Sequence, residues 1–342
     1  MPTDIHLSVL DQSPVHPAET AESLSNAGKM SCELAKACDV LGYKRYWVAE
    51  HHNSPQFAGP TPEILIASIA SVTQNMRIGS GGVMLPHYSP YKVAEVFNML
   101  SALFSGRIDL GIGRAPGGDR LASSALAWPN QPQDAKSYPA QASTLKALID
   151  QTIPDNHPWS DLHISPIHDI KPEMWMLGSS GGSAELAGQV GMNIALARFI
   201  SPDQCRPEIF DHYEQAWQSA GHTGTPNRML AIGAFCADTQ EEAELLAGTA
   251  VYRKMMMQVG VNDDLLPPEL VQDRSKNFSP SQEAEYNHLL QGYTVGTPDR
   301  CKTEIEELAR IFGVNEVSIV TVTHDFGSRL KSYQLLSGLG LL

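Results

Sequence analysis

Four short runs in the chain carry residue types able to do chemistry. The first is Glu50-His51-His52-Asn53, three potential ligands or proton carriers in succession at the end of an apolar run. Spacing disfavours a metal: neighbours along a strand point to opposite faces, so Glu50 and His52 diverge from His51, and no His-x-His or His-x-x-x-His pattern completes a ligand set. An imidazole at a strand mouth titrates near neutrality and can serve as a general base or as a hydrogen-bonded structural group. The second run is Ser80-Gly81-Gly82-Val83. Glycines inside a strand mark a bulge or a close approach of backbone to a ligand such as a flat ring. Tight packing in a barrel would ask for the same residues.

The third run, GIGRAPGGD, lacks the spacing of a dinucleotide fingerprint. Its informative residue is Arg114, a permanent cation able to hold a phosphate or carboxylate, or to pair locally with Asp119. The fourth is Gly178-Ser179-Ser180-Gly181-Gly182-Ser183 ahead of a helical stretch. Free N–H groups, hydroxyls and the helix dipole there make a phosphate cradle, and the same residues also make an ordinary N-cap. An arginine and such a turn on adjacent strands would supply one anion with a cation and a nest.

The elements that must position these runs alternate. Strand-like segments fall at 5–10, 45–50, 76–85, 107–113, 173–178, 193–197, 229–237 and 317–322, each trailed by a helical pattern. One helix carries a stripe of Leu24, Ala27, Ser31, Leu34, Ala35, Cys38 and Leu41 and stops at Gly42. Thr61-Pro62, Ser89-Pro90 and Thr297-Pro298 read as cap-then-proline helix starts. The helix over 62–73 is apolar nearly all round, which suits deep burial or a subunit contact. Eight apolar strands, each followed by a helix, predict an α/β fold, a closed (β/α)8 TIM barrel formed as a single domain over 1–342. A doubly wound sheet is the rival, but no mid-chain linker divides the sequence. Insertions are expected after strands 4 and 7, irregular over 114–137 and 258–292, with an extra hairpin at 161–167. Trp47, Trp175 and Met176 are expected in the barrel core. In such barrels the working face is the C-terminal end of the strands.

Bulk properties narrow the partners. The 342 residues carry 38 Asp plus Glu against 24 Lys plus Arg, a formal charge of −14. That surface repels nucleic acid and anionic membranes, so any anionic ligand needs a locally positive pocket. Five cysteines without Cys-x-x-Cys spacing, and no leader or membrane-spanning run, fit a cytoplasmic protein with reduced thiols.

The segments LGYKRYWVAEHHN, RIGSGGVMLPHYSPYKVAE, SGRIDLGIGRAPGG, LGSSGGSAELAG and VGTPDRC occur in that order along the chain. In combination they resemble the bacterial luciferase-like monooxygenases, within them the branch with LDQSP and GRAPG signatures. The resemblance implies a TIM barrel and FMN, used in reduced form with dioxygen on a small organic substrate. It implies a separate NAD(P)H:flavin reductase and a homodimer. It puts the FMN phosphate at Arg114, Ser179, Ser180 and Ser183, and a non-prolyl cis peptide near Gly81-Gly82 beside the ring. His51 matches the histidine important for luciferase catalysis, with His52 a weaker match, and 258–292 matches a mobile loop over the flavin. Luciferase carries a cysteine where Gly113 stands here, so neither its aldehyde site nor light emission carries over. A reductase using NAD(P)H or a deazaflavin, and a flavin-storing protein without turnover, remain alternatives on the same scaffold. A metal-dependent barrel hydrolase is disfavoured by the ligand count.

Overall fold

Apolar runs that can be buried on both faces become the strands. They are β1 (His6–Asp11), β2 (Arg45–Val48), β3 (Arg77–Met84), β4 (Ile108–Gly113), β5 (Glu173–Gly178), β6 (Asn193–Ala197), β7 (Arg228–Cys236), β8 (Thr294–Gly296) and β9 (Glu316–Val320). The structure is a computed structural model that describes residues 5–15, 26–261 and 264–341. Every ladder is parallel, and the order β1-β2-β3-β4-β5-β6-β7-β9 closes through pairing of β9 with β1, Val317 opposite Leu7. The result is the expected eight-strand barrel. The short β8 is an addition: it extends the far half of β7, pairing Phe235 with Val295, where the ladder from β7 to β9 has ended at Gly233 and Val320.

The helices are α1 (Ala27–Leu41), α2 (Pro62–Val72), α3 (Pro90–Leu103), α4 (Arg120–Ala127), α5 (Tyr138–Asp150), α6 (Gly181–Val190), α7 (Glu208–Ser219), α8 (Gln240–Gln258), α9 (Pro268–Ser275), α10 (Pro280–Gln291), α11 (Pro298–Phe312) and α12 (Phe326–Ser337). Proline stands at the start of α2, α3 and α11 as expected, while Thr61, Ser89 and Thr297 make no side-chain cap bond. Gly42 ends α1 in the left-handed region at φ 93°. Leu24 lies outside the described residues. No helix among the described residues is long and apolar enough to cross a membrane.

Three local expectations are corrected. Residues 258–292, expected to be irregular, contain α9 and α10, the latter opened by a capping box between Ser279 and Gln282. Both helices are mostly polar, with few buried positions, so no apolar stripe betrays them. The polar run 114–137 likewise contains α4, capped by Asp119. No hairpin forms at 161–167, where Pro166 offers no N–H and the segment is tied to α3, Asn98 donating to the Pro166 carbonyl at 2.6 Å.

Three apolar clusters result among the described residues: one between strands and helices, one inside the barrel, and a small one where α8, α9 and α10 pack. Trp47 and Trp175 meet edge to face inside, ring centroids 5.2 Å apart, and Met176 is buried in the outer layer. Beneath them the N-terminal end is closed by charge. Arg45 bridges Asp109 at 2.8 Å, Glu316 at 2.8 Å and Glu173 at 3.1 Å, and Arg77 also pairs with Asp109. Polar chemistry that can meet a ligand is thereby left to the opposite end.

Candidate active site

The β3 glycines shape that end. Between Ser80 and Val83 the ladder with β4 shifts register, Ser80 facing Leu110 and Val83 facing Ile112, so one residue bulges out. The Gly81-Gly82 peptide is cis. The Ser80 hydroxyl repairs the gap, donating to the Gly111 carbonyl at 2.7 Å and accepting from its N–H at 3.1 Å. Packing bears hardest on Gly82, where a Cβ would lie 2.8 Å from the Gly111 carbonyl; one at Gly81 would meet the movable Cδ1 of Leu10 at 2.4 Å and the Trp47 Cβ at 3.1 Å. Gly81 also faces a ligand-sized space, so the two explanations for these glycines coexist.

That space is a cavity of about 290 Å³ at the C-terminal ends of the strands. Leu10, Ala49, Phe235, Val320 and Val322 make its walls largely apolar, and Gly81 and His51 line it. His51 stacks on Phe57, centroids 4.6 Å apart, and its backbone N–H donates to the Gly59 carbonyl at 3.0 Å. Its Nδ1 is buried without a hydrogen-bond partner. Burial, followed by the positive charge of Arg253, pushes its pKa down to about 4, so the ring is neutral at pH 7. The Glu50-His51-His52 run lies past the end of β2 at Val48, so the expected strand alternation does not separate it, and Glu50 and His51 both reach the cavity. Glu50 accepts from His52 Nε2 at 2.7 Å, from Tyr88 Oη at 2.8 Å and from the Met84 N–H at 3.0 Å. With three donors satisfied, its carboxylate braces the loop, and His52 braces Glu50.

The remaining expected residues form a second group one step round the barrel. The β4–β5 ladder runs to Ile112 opposite Met176, and two residues further stand Arg114 and Gly178, with Ser179 next. Arg114 is exposed and makes no ion pair among the described residues. Its rival partner Asp119 is committed elsewhere, to Asn53 at 2.8 Å and to the Ala122 N–H at 2.8 Å. Ser180 is the N-cap of α6 without a side-chain cap bond, which leaves first-turn N–H groups open. The Ser183 hydroxyl donates to the Ser180 carbonyl at 2.9 Å and sits where a Cβ on Gly178 would fall, so its proton is spent within the turn. Arg114, Ser179, Ser180 and Ser183 do not line the cavity.

Several residues in this region had no signal in the sequence. Tyr138, at the start of α5, lies close enough to Arg114 to feel its charge, and its buried hydroxyl has no partner. Burial pushes its pKa up, which keeps it a donor. Arg253 and Lys254 of α8 also line the cavity. Nothing local marks these three, because what they face is decided by packing between distant segments.

The sequence profile of the luciferase-like monooxygenases matches residues 5–315. The uncharacterised protein YwcH of Bacillus subtilis (strain 168) is 39% identical over 333 residues, covering 97% of this chain and 98% of that protein. The N-acetyl-S-alkylcysteine monooxygenase of the same organism is 34% identical over 336 residues, 97% of each chain. Among solved structures, apo-MsnO8 superposes with a TM-score of 0.87 at 37% identity, covering 98% of both chains.

Proposed function

The chain belongs to the luciferase-like monooxygenase family, and from that premise we propose that it is an FMN-dependent monooxygenase acting on a small, largely apolar organic substrate. The observation that carries this reading is one juxtaposition. Arg114, just past β4, and the Ser179–Ser183 turn, just past β5, follow neighbouring strands beside a largely apolar cavity whose wall holds a neutral histidine with an unpartnered nitrogen.

The residues present fit the phosphate end of FMN. Arg114 is a cation without a carboxylate, Tyr138 offers a buried unpartnered hydroxyl beside it, and the turn Ser179–Ser183 offers N–H groups at a helix start. Arg114, Tyr138, Ser179 and Ser180 would hold the phosphate, Ser183 contributing its N–H, while Gly81 and Gly82 would flank the ring. Bound reduced FMN supplies the electrons that activate dioxygen. The chain does the rest. The apolar walls exclude water, and His51 Nδ1, uncharged at neutral pH, accepts or returns a proton at the reacting centre.

The same reading has one domain working in the cytoplasm with flavin reduced by a separate NAD(P)H-dependent partner. A homodimer is part of it, with the exposed Ile64 and Val72 of α2 available as a contact.

The test is the substitution Arg114→Ala. Losing a charged hydrogen-bond donor costs about 1.5–3 kcal/mol, so FMN should bind about 10- to 100-fold more weakly while riboflavin, which has no phosphate, is little affected. Equal losses for the two flavins would remove Arg114 from the phosphate site.

A further inference from the structure

The cavity has one charged wall. Arg253 and Lys254, consecutive on α8, both line it. The Arg253 guanidinium lies 4.5 Å over the Phe57 ring, and its Nε donates to Gln56 Oε1 at 3.2 Å. Lys254 Nζ donates to the Phe199 carbonyl at 2.9 Å and lies 5.8 Å from the centroid of the Tyr293 ring. Neither cation has a carboxylate within ion-pair distance among the described residues, although acids outnumber bases 38 to 24 in the chain. Glu50, the acid that touches the cavity, is already held by three donors.

Cations removed from water are normally paired, because an unpaired buried charge is costly. Both groups are half-buried, and burial depresses the pKa of each, outweighing the pull of Tyr293 on Arg253 and of the more distant Asp203 on Lys254. An incoming anion would relieve that cost. The phosphate of the flavin is not that anion under the reading above, since Arg114 and the serine turn lie outside this cavity. A guanidinium whose Nη groups have no hydrogen-bond partner among the described residues, and an ammonium on the same wall, facing aliphatic and aromatic walls, match a carboxylate attached to an apolar body. We propose that Arg253 and Lys254 recognise a carboxylate on the substrate, so that the substrate class is a small apolar carboxylic acid. The proposal rests on the functional reading only in taking this cavity as the substrate site.

Octanoate and octanamide differ in charge at nearly constant shape and serve as probes, titrated calorimetrically into the protein with and without saturating FMN. Wild type should bind octanoate at least about tenfold more tightly than octanamide. Arg253→Gln with Lys254→Met should abolish that preference and leave FMN affinity unchanged, and Arg253→Lys should keep part of it. No preference in wild type, including no binding of either probe, overturns the proposal. So does a preference that survives in the double variant, or FMN affinity that falls in step with octanoate, which would assign the cations to the flavin. Carboxylate selectivity without FMN binding would sink the functional reading and leave this one standing. FMN binding without selectivity does the reverse.

Discussion

His51 is the residue whose protonation the fold controls most directly. Its pKa falls from 6.5 to about 4 because burial against Phe57 disfavours the cation and Arg253 adds repulsion. At pH 7 both folded and unfolded chains hold it neutral, and it leaves stability unchanged. As pH drops through 6.5 the unfolded chain takes up the proton first, so stability declines until about pH 4, where the folded protein follows. At about 1.36 kcal/mol per unit the loss approaches roughly 3 kcal/mol. His51→Gln should lack this component: urea unfolding of both proteins at pH 7 and pH 4.5 should show wild type losing more stability than the variant. An equal loss would mean that His51 titrates normally. The variant should still bind flavin, with turnover reduced. In the sequence His51 could only be called a base or a structural histidine, because the buried stack and the missing Nδ1 partner come from Phe57, Gly59 and α8. Arg253, Lys254 and Tyr138 were illegible for the same reason: each is an ordinary helix residue until the barrel turns it towards the strand ends.

Among elements, β3 binds fold and site together. Its bulge at Gly81-Gly82 is clamped by β4, and a Cβ at Gly82 would come within 2.8 Å of the Gly111 carbonyl, a backbone atom unable to rotate away. Gly82→Ala should therefore destabilise the protein by about 1–3 kcal/mol, as overpacking does. Gly28→Ala is the control. Among the described residues its Cβ would find Leu65 Cδ1 at 3.9 Å and nothing nearer, and alanine suits a helix better, so stability should hold or rise by up to about 1 kcal/mol. Denaturant midpoints measured side by side decide the matter, and a neutral Gly82→Ala would mean that the bulge relaxes. The glycine pair was readable as a bulge because strands seldom tolerate glycine, and the proline at three helix starts was readable because it fits the first helical turn without loss, whereas the caps expected of Thr61, Ser89 and Thr297 do not form. β8 was not, since three residues carry no periodicity, and α9 and α10 were not, since few of their residues are buried.

At the scale of the whole molecule, the barrel separates a charged floor from its working rim. Arg45 joins β2 to β4, β5 and β9 through Asp109, Glu173 and Glu316, linking four of the eight strands of the closed ring. Burial alone would push the Glu316 carboxyl up, but Arg45 and Lys44 outweigh it and hold it below the usual range. The alternation of strands and helices announced the barrel, yet no local feature announced this floor: its members lie up to 271 residues apart and meet only on closure. Removing the cation leaves Asp109 to Arg77 and Glu316 to Lys44, less compensation than before but short of the fully unpaired buried charge that costs about 3–5 kcal/mol in other proteins. Arg45→Met should lower stability by up to about 3 kcal/mol, and the loss should shrink as pH falls and the under-compensated carboxyls take up protons. The rim lies at the other end of the strands, so the fraction that remains folded should bind FMN with unchanged affinity. A variant of normal stability, or one folded but unable to bind flavin, would show that floor and rim are not the independent ends the geometry makes them.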